Sequence, residues 1–420
     1  MEKRYLMKKA GGGSLETPEQ MLNRVAANIA GVDRLYYGKS EEETKKLEKS
    51  FFEVMDRLEF LPNSPTLMNA GRDLQQLSAC FVLPIEDSIE SIFETLKHMA
   101  LVQKTGGGTG FAFDRLRPAG DFVQSTFGAA SGPIPFLKIY NSGTEAVKQG
   151  GSRRGASMGT LRYDHPDIVK FVTCKESDRE ITNFNISVTV SDSFMEKVNG
   201  DDPNPEYYLV NPRTGKTHID PETGNLKRMN AQDLFQLILE RAWKNGEPGM
   251  IFIDTMNKFN PTPQMGKYET SNPCGEQPLL PYEACCLGSI NLGMMVTPKV
   301  QVDWERLRKL VHTAVHFEDN VIDASQYAIP QIKKMHQGNR KIGIGVMGWH
   351  DMLVKLRLPY DSEEALELAE KVMKFINEEA KNKSLELALE RGVFPNLKES
   401  LYDTGKEEDR VRNATRTTIA

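Results

Sequence analysis

Three of the chain's five cysteines lie within one short stretch, "NPCGEQPLLPYEACCLGSINL", from Asn272 to Leu292. Cys274 is flanked two positions away on either side by Asn272 and Glu276. Proline and glycine next to the thiol disfavour both helix and strand, which predicts the tip of a tight loop. In an extended or looped chain alternate side chains can point to one side, so amide, thiol and carboxylate can converge on one small molecule. A glutamate can move a proton, an amide can hold hydroxyls, and a thiol can exchange a hydrogen or attack. A lone cysteine is ordinarily a buried small hydrophobe; its two polar neighbours set this one apart. A cysteine protease needs a histidine beside the thiol. None of the seven histidines falls in this stretch, although one from elsewhere can fold in. A dithiol reductase needs a second thiol pair. Cys285 can supply one member and Cys80, in "LSACFV", the other, since a disulfide delivers two electrons and needs only that the sulfurs approach in the fold. The residues therefore describe a thiol enzyme with acid–base support, with a redox pair left open.

Other patterns carry less chemistry. "GIGVMG" (Gly343–Gly348) fits G-x-G-x-x-G, but a dinucleotide site wants a strand ending in an acidic residue roughly 20 positions on. Glu363, the nearest candidate, opens a helix in "YDSEEALE". "GGSRRGAS" (Gly150–Ser157) has the glycine spacing of a Walker loop with Ala156 in place of the lysine, so triphosphate hydrolysis is not indicated there. Arg153 and Arg154 suit phosphate and base recognition, although solvated arginine pairs are ordinary. His312 and His316 stand i, i+4 on a predicted helix, but Thr313 occupies the place of a catalytic glutamate, and packing or solvation is the expected role. The cysteines lack C-x-x-C spacing, so no metal site is expected. Met347, Trp349 and "LFQLILERAW" read as core.

The elements that must position these residues follow from periodicity. Thr17–Glu59 reads as helical, with a threonine cap and a first-turn proline in "ETPEQMLNRVAANIA". "LSACFVLPI" and "FNISVTVS" read as strands, and "SIESIFETLKHMALVQKTGGGTGFAF" as helix, glycine loop and strand. "NAQDLFQLILERAWKNGEPGMIFIDTMNK" reads as a capped helix followed by a strand. "WERLRKLVHTAVHFEDNVIDASQY" and "SEEALELAEKVMKFINEEAKNKSLELALERG" read as long amphipathic helices. "VNGDDPNPEYYLVNPRTGKTHIDPETGN" is a polar excursion with hairpin character. The pattern predicts an α/β domain, residues 63–420, behind a helical N-terminal domain, residues 1–62. At 420 residues the chain has room for both. A net charge of -5 argues against a general nucleic-acid or membrane-surface binder. The N-terminus has no signal-peptide core and no apolar run reaches membrane length, so a cytoplasmic protein is expected, whose thiols stay reduced unless they are catalytic, redox-active or metal-bound.

Several long motifs, in order, resemble those of class II ribonucleotide reductases, the adenosylcobalamin-dependent type: "FLPNSPTLMNAG", "LSACFVLPIEDSI", "KTGGGTGFAFDRLRP", "GGSRRGASMGTL", "NPCGEQPLLPYEACCLGSINL" and "RKIGIGVMGWHDML". The class I large subunit has a related but different motif around its cysteine. The resemblance covers nearly the whole chain. It implies a ten-stranded α/β barrel of two half-barrels with a cysteine finger loop, behind a helical domain. It implies an oxidoreductase that converts ribonucleotides, expected as diphosphates, to 2′-deoxyribonucleotides for DNA synthesis. Cys274 would be the thiyl-radical cysteine, oxidised with adenosylcobalamin. Glu276 would take the 3′-hydroxyl proton and Asn272 would hold the ribose hydroxyls. Cys80 and Cys285 would reduce the 2′ position and become a disulfide, reset by a thioredoxin-like donor. Cys286 has no family role, and Cys174 is expected to be structural.

Substrate contacts would come from Thr66, Ala79, Cys80, Gly108 and the loop Asn272, Pro273, Cys274, Gly275 and Glu276. Ala79 stands where relatives often carry serine, so only its backbone can serve. A deoxynucleoside triphosphate effector would bind at Asp87, Ser88, Ile89 and Arg117, at a homodimer interface. "GGSRRGAS", with Arg153 and Arg154, would be the specificity loop relaying effector identity. The run "NATRTTIA" leads, in relatives, into a Pro-Thr-Gly-Thr loop that holds the substrate phosphates. The expectation is therefore the N-terminal portion of a catalytic chain, inactive alone, with the remaining barrel missing or supplied by a separate chain. No stretch resembles an ATP cone. Two alternatives stand beside it: a non-catalytic effector-binding or assembly subunit of a split reductase, and a reductase served by a separate radical-generating subunit.

Overall fold

The computed structural model describes residues 2, 4–9, 11–124, 127–148, 155–177, 180–200, 205–220 and 223–418. The chain divides into two compact units. One comprises Met1–Ala79, Pro261–Met265 and Glu283–Ala420; the other comprises Cys80–Asn260 and Gly266–Tyr282.

The first unit opens with the expected helices. Thr17 caps the helix Pro18–Tyr37 in a reciprocal capping box with Gln20, and Gly38 ends it in the left-handed region (φ 68°). Ser40 and Glu43 form a second capping box at the helix Glu41–Asp56. The apolar faces of these helices, including Met21, Val25, Ile29, Phe51 and Met55, join one core with Leu307, Val311 and Phe317 of the helix Trp304–Ala324. The same core receives a small sheet. Phe60–Pro62 runs antiparallel to Ala284–Asn291, which pairs in parallel with Ile342–Met347, Cys286 opposite Ile342. "GIGVMG" is thus strand as far as Met347, and Gly348 takes the left-handed region (φ 70°) before the helix Trp349–Leu356; a Cβ on Gly343 would lie 2.6 Å from Leu287 Cδ2.

A buried ion network ties the ends of this unit together. The Asp319 carboxylate receives Arg340 (2.8 Å), Arg391 (3.0 Å), Arg412 (3.5 Å) and the Asn413 amide (2.9 Å). Arg391 continues to Asp33 (2.6 Å), which also meets His316 (3.1 Å) and Asn320 (2.6 Å). Burial alone would raise the Asp33 carboxyl, but the His316 hydrogen bond and the charges of His316 and Arg391 outweigh it and hold it at about 2. His312 is likewise engaged, 2.8 Å from Glu379. Removing one partner of a buried pair leaves uncompensated charge. Asp319→Asn should therefore destabilise this unit by about 3–5 kcal/mol, read as a lower urea midpoint at unchanged slope.

Glu318, next along the same helix, is the opposite case. It is fully buried, neither carboxyl oxygen has a hydrogen-bond partner, and burial pushes its pKa up to about 8 from an ordinary 4.5. The native state keeps a proton that the unfolded chain has lost between those values. Its contribution to stability is therefore fully present below the lower value and is lost as pH rises through about 8. Glu318→Leu should raise stability at pH 8 by about 2 kcal/mol or more and should flatten its decline from pH 5 to pH 8. A gain independent of pH would show that the group is not proton-linked.

The second unit is built on parallel strands in the order Cys80–Val82, Gly108–Ala112, Ser157–Arg162, Phe184–Val190 and Gly249–Phe252. The helices Ile89–Lys104 and Pro133–Lys148 belong to its crossovers, and Phe111, Phe113, Tyr140 and Phe184 pack edge-on or tilted in its core. The polar excursion forms short antiparallel pairs, Val210–Asn211 with Lys216–Thr217 and Glu206–Tyr208 with Arg228–Asn230. The strand in "PGMIFIDTMNK" stops at Phe252, and Ile253–Lys258 is a helical turn. Among the described residues, no helix is long and apolar enough to cross a membrane.

Candidate active site

In the second unit Thr270–Ser271 pairs antiparallel with Pro278–Leu279, so Asn272–Gln277 forms the predicted tight loop. The loop closes on itself. Asn272 N–H donates to the Gln277 carbonyl (3.2 Å), Gly275 N–H to the Asn272 carbonyl (3.1 Å), and Gln277 N–H to Asn272 Oδ1 (3.0 Å). Gly275 takes φ 87°, a conformation that favours glycine. Cys274 is exposed at the tip, whereas Asn272 is fully buried.

The convergence differs in one respect from simple alternation. The group that Asn272 and Glu276 share is the thiol of Cys80, which opens the first strand of the parallel sheet. Asn272 Nδ2 donates to Cys80 Sγ at 3.1 Å, and that sulfur lies 4.0 Å from Glu276 Oε1. An amide donor, a carboxylate and a thiol are thus gathered beneath the tip that carries Cys274.

The loop is seated by the sheet. A Cβ on Gly108 would lie 2.7 Å from Pro273 Cγ, and one on Gly110 only 1.9 Å from the Ser271 carbonyl oxygen. The strand Gly108–Ala112 therefore carries glycine where the loop approaches, against the Pro273 ring at Gly108 and against the Ser271 backbone at Gly110. Thr160 Oγ1 donates to the Glu269 carbonyl (3.4 Å), and Asn185 Nδ2 to the Pro273 carbonyl (2.8 Å), one residue before the thiol. Asn185 was missed from the sequence. Its signal is a polar side chain on the same face as Ser187 and Thr189 in the strand "FNISVTV".

Thr66, Ala79 and Cys285 lie in the first unit. Thr66 is fully buried in the short helix Ser64–Asn69, its hydroxyl donating to the Leu77 carbonyl (3.1 Å). Ala79, the residue before Cys80, donates its N–H to the Cys285 carbonyl (3.2 Å). Cys285 and Cys286 are both buried in the strand Ala284–Asn291. Cys286 is in the apolar core, 3.6 Å from Ser78 Oγ and 3.9 Å from His336 Nε2. Burial pushes the Cys174 thiol up to about 12, which makes it inert.

Asp87, Ser88, Ile89 and Arg117 line one cavity of about 1030 Å³ in the second unit, with Phe122, Phe127 and Phe136. Arg117 grips Asp87 through its backbone N–H (3.1 Å) and its Nε (2.8 Å). Ser88 caps the helix Ile89–Lys104, whose amino end therefore opens on the cavity and favours an anion. Arg153 and Arg154 lie outside the described residues.

With this geometry in place, the comparison with known proteins defines the class. The family model of the ribonucleotide reductase barrel domain matches residues 78–418, and that of the ribonucleotide reductase all-alpha domain matches residues 1–75. The chain belongs to the ribonucleotide reductase family, with a helical N-terminal domain and an α/β barrel domain, which bears out the resemblance carried by its motifs. It is 47% identical to the vitamin B12-dependent ribonucleoside-diphosphate reductase of Thermoplasma acidophilum, over the whole chain and 60% of that relative. It is 46% identical to the protein of the same name from Mycobacterium tuberculosis H37Rv, over the whole chain and 57% of that relative. To ribonucleoside-diphosphate reductase large chain 2 of Saccharomyces cerevisiae it is 30% identical, over 96% of the chain and 48% of the relative. The chain thus spans less than two thirds of the length of these relatives.

The seating of the loop makes a specific demand. Gly110→Ala must displace the Ser271 backbone. It should cost about 1–3 kcal/mol and raise amide hydrogen exchange across residues 270–279. Gly31→Ala, in a helix with open space around it, should be neutral or stabilise by up to about 1 kcal/mol. Unchanged exchange across 270–279 in Gly110→Ala would contradict the close approach.

Proposed function

We propose that this chain is the nucleotide-binding, radical-bearing part of an adenosylcobalamin-dependent ribonucleotide reductase, acting on ribonucleoside diphosphates to give 2′-deoxyribonucleotides. The observation that carries this is the buried Asn272 amide and the Glu276 carboxylate gathered on Cys80 in the loop whose exposed tip is Cys274. The names of the relatives from Thermoplasma and Mycobacterium support both the cofactor and the diphosphate form.

The tip suits a bulky cofactor. Cys274 is exposed, and a Cβ placed on the neighbouring Gly275 would meet nothing within 4 Å. When bound, adenosylcobalamin supplies the one-electron oxidation of a thiol. Cys274 then acts as the radical that removes the ribose 3′-hydrogen. Glu276 takes the 3′-hydroxyl proton, and Asn272, held by its own loop, positions the ribose hydroxyls. The 2′-hydroxyl leaves as water. Cys80 and Cys285 together give up two protons and two electrons and end as a disulfide, which a thioredoxin-like dithiol reduces again. Thr66, the Ala79 backbone, Gly108, Pro273 and Gly275 complete the substrate contacts.

A deoxynucleoside triphosphate effector occupies the cavity of Asp87, Ser88, Ile89 and Arg117. The open amino end of the helix supports its phosphates, and the exposed Ile89 and Phe127 offer apolar surface for a base or a second copy of the chain. The residues Gly150–Ser157 relay effector identity to the substrate base.

Four variants assayed side by side in the enzyme reconstituted with adenosylcobalamin and a dithiol separate these roles. Cys274→Ser should lose both product and hydrogen exchange between cofactor and solvent, by roughly 10³-fold or more, because a serine O–H bond is much stronger than a cysteine S–H bond. Cys80→Ser and Cys285→Ser should keep exchange but lose product. Cys286→Ser should keep most turnover. Exchange that persists in Cys274→Ser, or equal loss in Cys285→Ser and Cys286→Ser, would overturn the assignment.

A further inference from the structure

The helix Ile89–Lys104 begins at the proposed effector cavity, and Gln103 stands in its last turn, shortly before the strand Gly108–Ala112. Gln103 is 2% exposed. Its Nε2 donates to Thr109 Oγ1 (3.2 Å) and to Ser157 Oγ (3.1 Å), and those two hydroxyls are themselves 3.0 Å apart. Thr109 directly follows Gly108, and Ser157 closes the segment Gly150–Ser157. Thr109 N–H also holds the Ala156 carbonyl (3.1 Å). One side chain thus links the effector-bearing helix, the start of the strand that seats the finger loop, and the carboxyl-terminal root of the specificity segment.

Two further features mark the position. A Cβ on Gly155 would lie 2.9 Å from Gln103 Oε1 and 2.9 Å from Thr144 Cγ2, on the helix Pro133–Lys148. The root of the segment is therefore pressed against both helices, and only glycine permits that approach. Gln103 Oε1 itself is buried without a hydrogen-bond partner. A buried acceptor left unsatisfied is destabilising, and a leucine or methionine at this position would not incur that cost. An amide retained at that cost, with its donor end committed to the two strands, points to a role other than stability.

We propose that Gln103 is a specificity-determining residue: it couples the position of the effector-bearing helix to the root of the segment Gly150–Ser157, and so to which base the substrate site accepts. This rests on the proposed effector cavity and specificity segment. Gln103 does not line the proposed effector cavity. It acts by fixing where Gly155, Ala156 and Ser157 stand relative to Thr109.

The test uses the full enzyme with each deoxynucleoside triphosphate and competing ribonucleotide substrates. It compares wild type with Gln103→Met, which keeps length and removes hydrogen bonding, and with Gly155→Ala, which disturbs the same contact from the other side. Effector binding by calorimetry should stay within about threefold, while the effector-dependent ratio of kcat/KM between preferred and disfavoured substrates falls about tenfold, within the usual range of allosteric coupling. A merely structural role would shift the melting temperature and leave that ratio intact. Full retention of the ratio in both variants, with wild type responding normally, overturns this inference alone. Loss of effector binding in Gln103→Met also overturns it, because the residue would then be shaping the cavity. A wild-type enzyme whose substrate choice ignores effectors overturns the effector assignment, and this inference with it.

Discussion

The first unit depends on one buried carboxylate. Asp319 gathers Arg340, Arg391 and Arg412, and Arg391 carries the network on to Asp33 in the first long helix. Three guanidinium groups in an apolar interior are tolerable only together with their counter-charges. Positions near 33, 319, 340, 391 and 412 must therefore meet for any one of them to be stable there. Burial alone would push the Asp319 carboxyl up, yet the three arginine charges hold it well below the usual carboxylate range. The consequence reaches a residue of the proposed chemistry. Arg340, in the left-handed region at φ 49°, ends one helix and stands two residues before the strand Ile342–Met347 begins, whose register places Ile342 opposite Cys286. Fixing Arg340 on Asp319 helps to fix that register, and with it the level of Cys285 in its strand.

The second unit solves a different problem, that of holding a polar loop in a defined place while one thiol remains reachable. Its answer is backbone on backbone. Gly108 and Gly110 remove the side chains that would keep the loop away, and Asn185 and Thr160 supply hydrogen bonds to carbonyls on either side of Ser271. Contacts of this kind fix the loop's root without occupying its tip. Cys274 can therefore be exposed while Asn272, two residues earlier, is fully buried. In the proposed role, a thiol that must meet a large cofactor and an amide that must stay buried have opposite requirements. The short loop meets both.

Much of this was legible in the sequence, for identifiable reasons. The first helix announced itself through Thr17 as a cap and the long helices through apolar periodicity, because both signals are local. The tight loop at Cys274 was legible from its proline and glycine. What could not be read was whatever depends on distant backbone. "KTGGGTG" looks like a glycine loop, but only its first glycines turn; Gly108 and Gly110 are in the strand, where a Cβ would meet the Pro273 ring at the one and the Ser271 carbonyl at the other. "ACCLGSIN" shows no clear apolar–polar alternation in its residue types, although burial alternates from Cys286 to Asn291, and it gave no strand signal. The ion network was invisible because a sequence does not distinguish solvated charges from buried ones. The return of residues 261–265 and 283–420 to the first unit likewise rests on contacts that no linker composition marks.

The adjacent thiols show how far a local pattern can mislead and what resolves it. In "EACCLGS" Cys285 and Cys286 appear equivalent. In a strand they cannot be, because successive side chains point to opposite faces. The Cys286 face joins the apolar core of Phe60, Ile290 and Phe317. Its polar neighbours there are Ser78 and His336, and His336 cannot activate it: burial holds that imidazole down to about 3, so it is neutral, with no positive charge to favour a thiolate. A thiol in that setting behaves as a small hydrophobe. Cys285, one residue away, takes the other face, and its carbonyl receives the Ala79 N–H immediately before Cys80. The pleat of the strand, rather than any difference between the two cysteines themselves, is what supports the proposal of the redox role for Cys285 over Cys286.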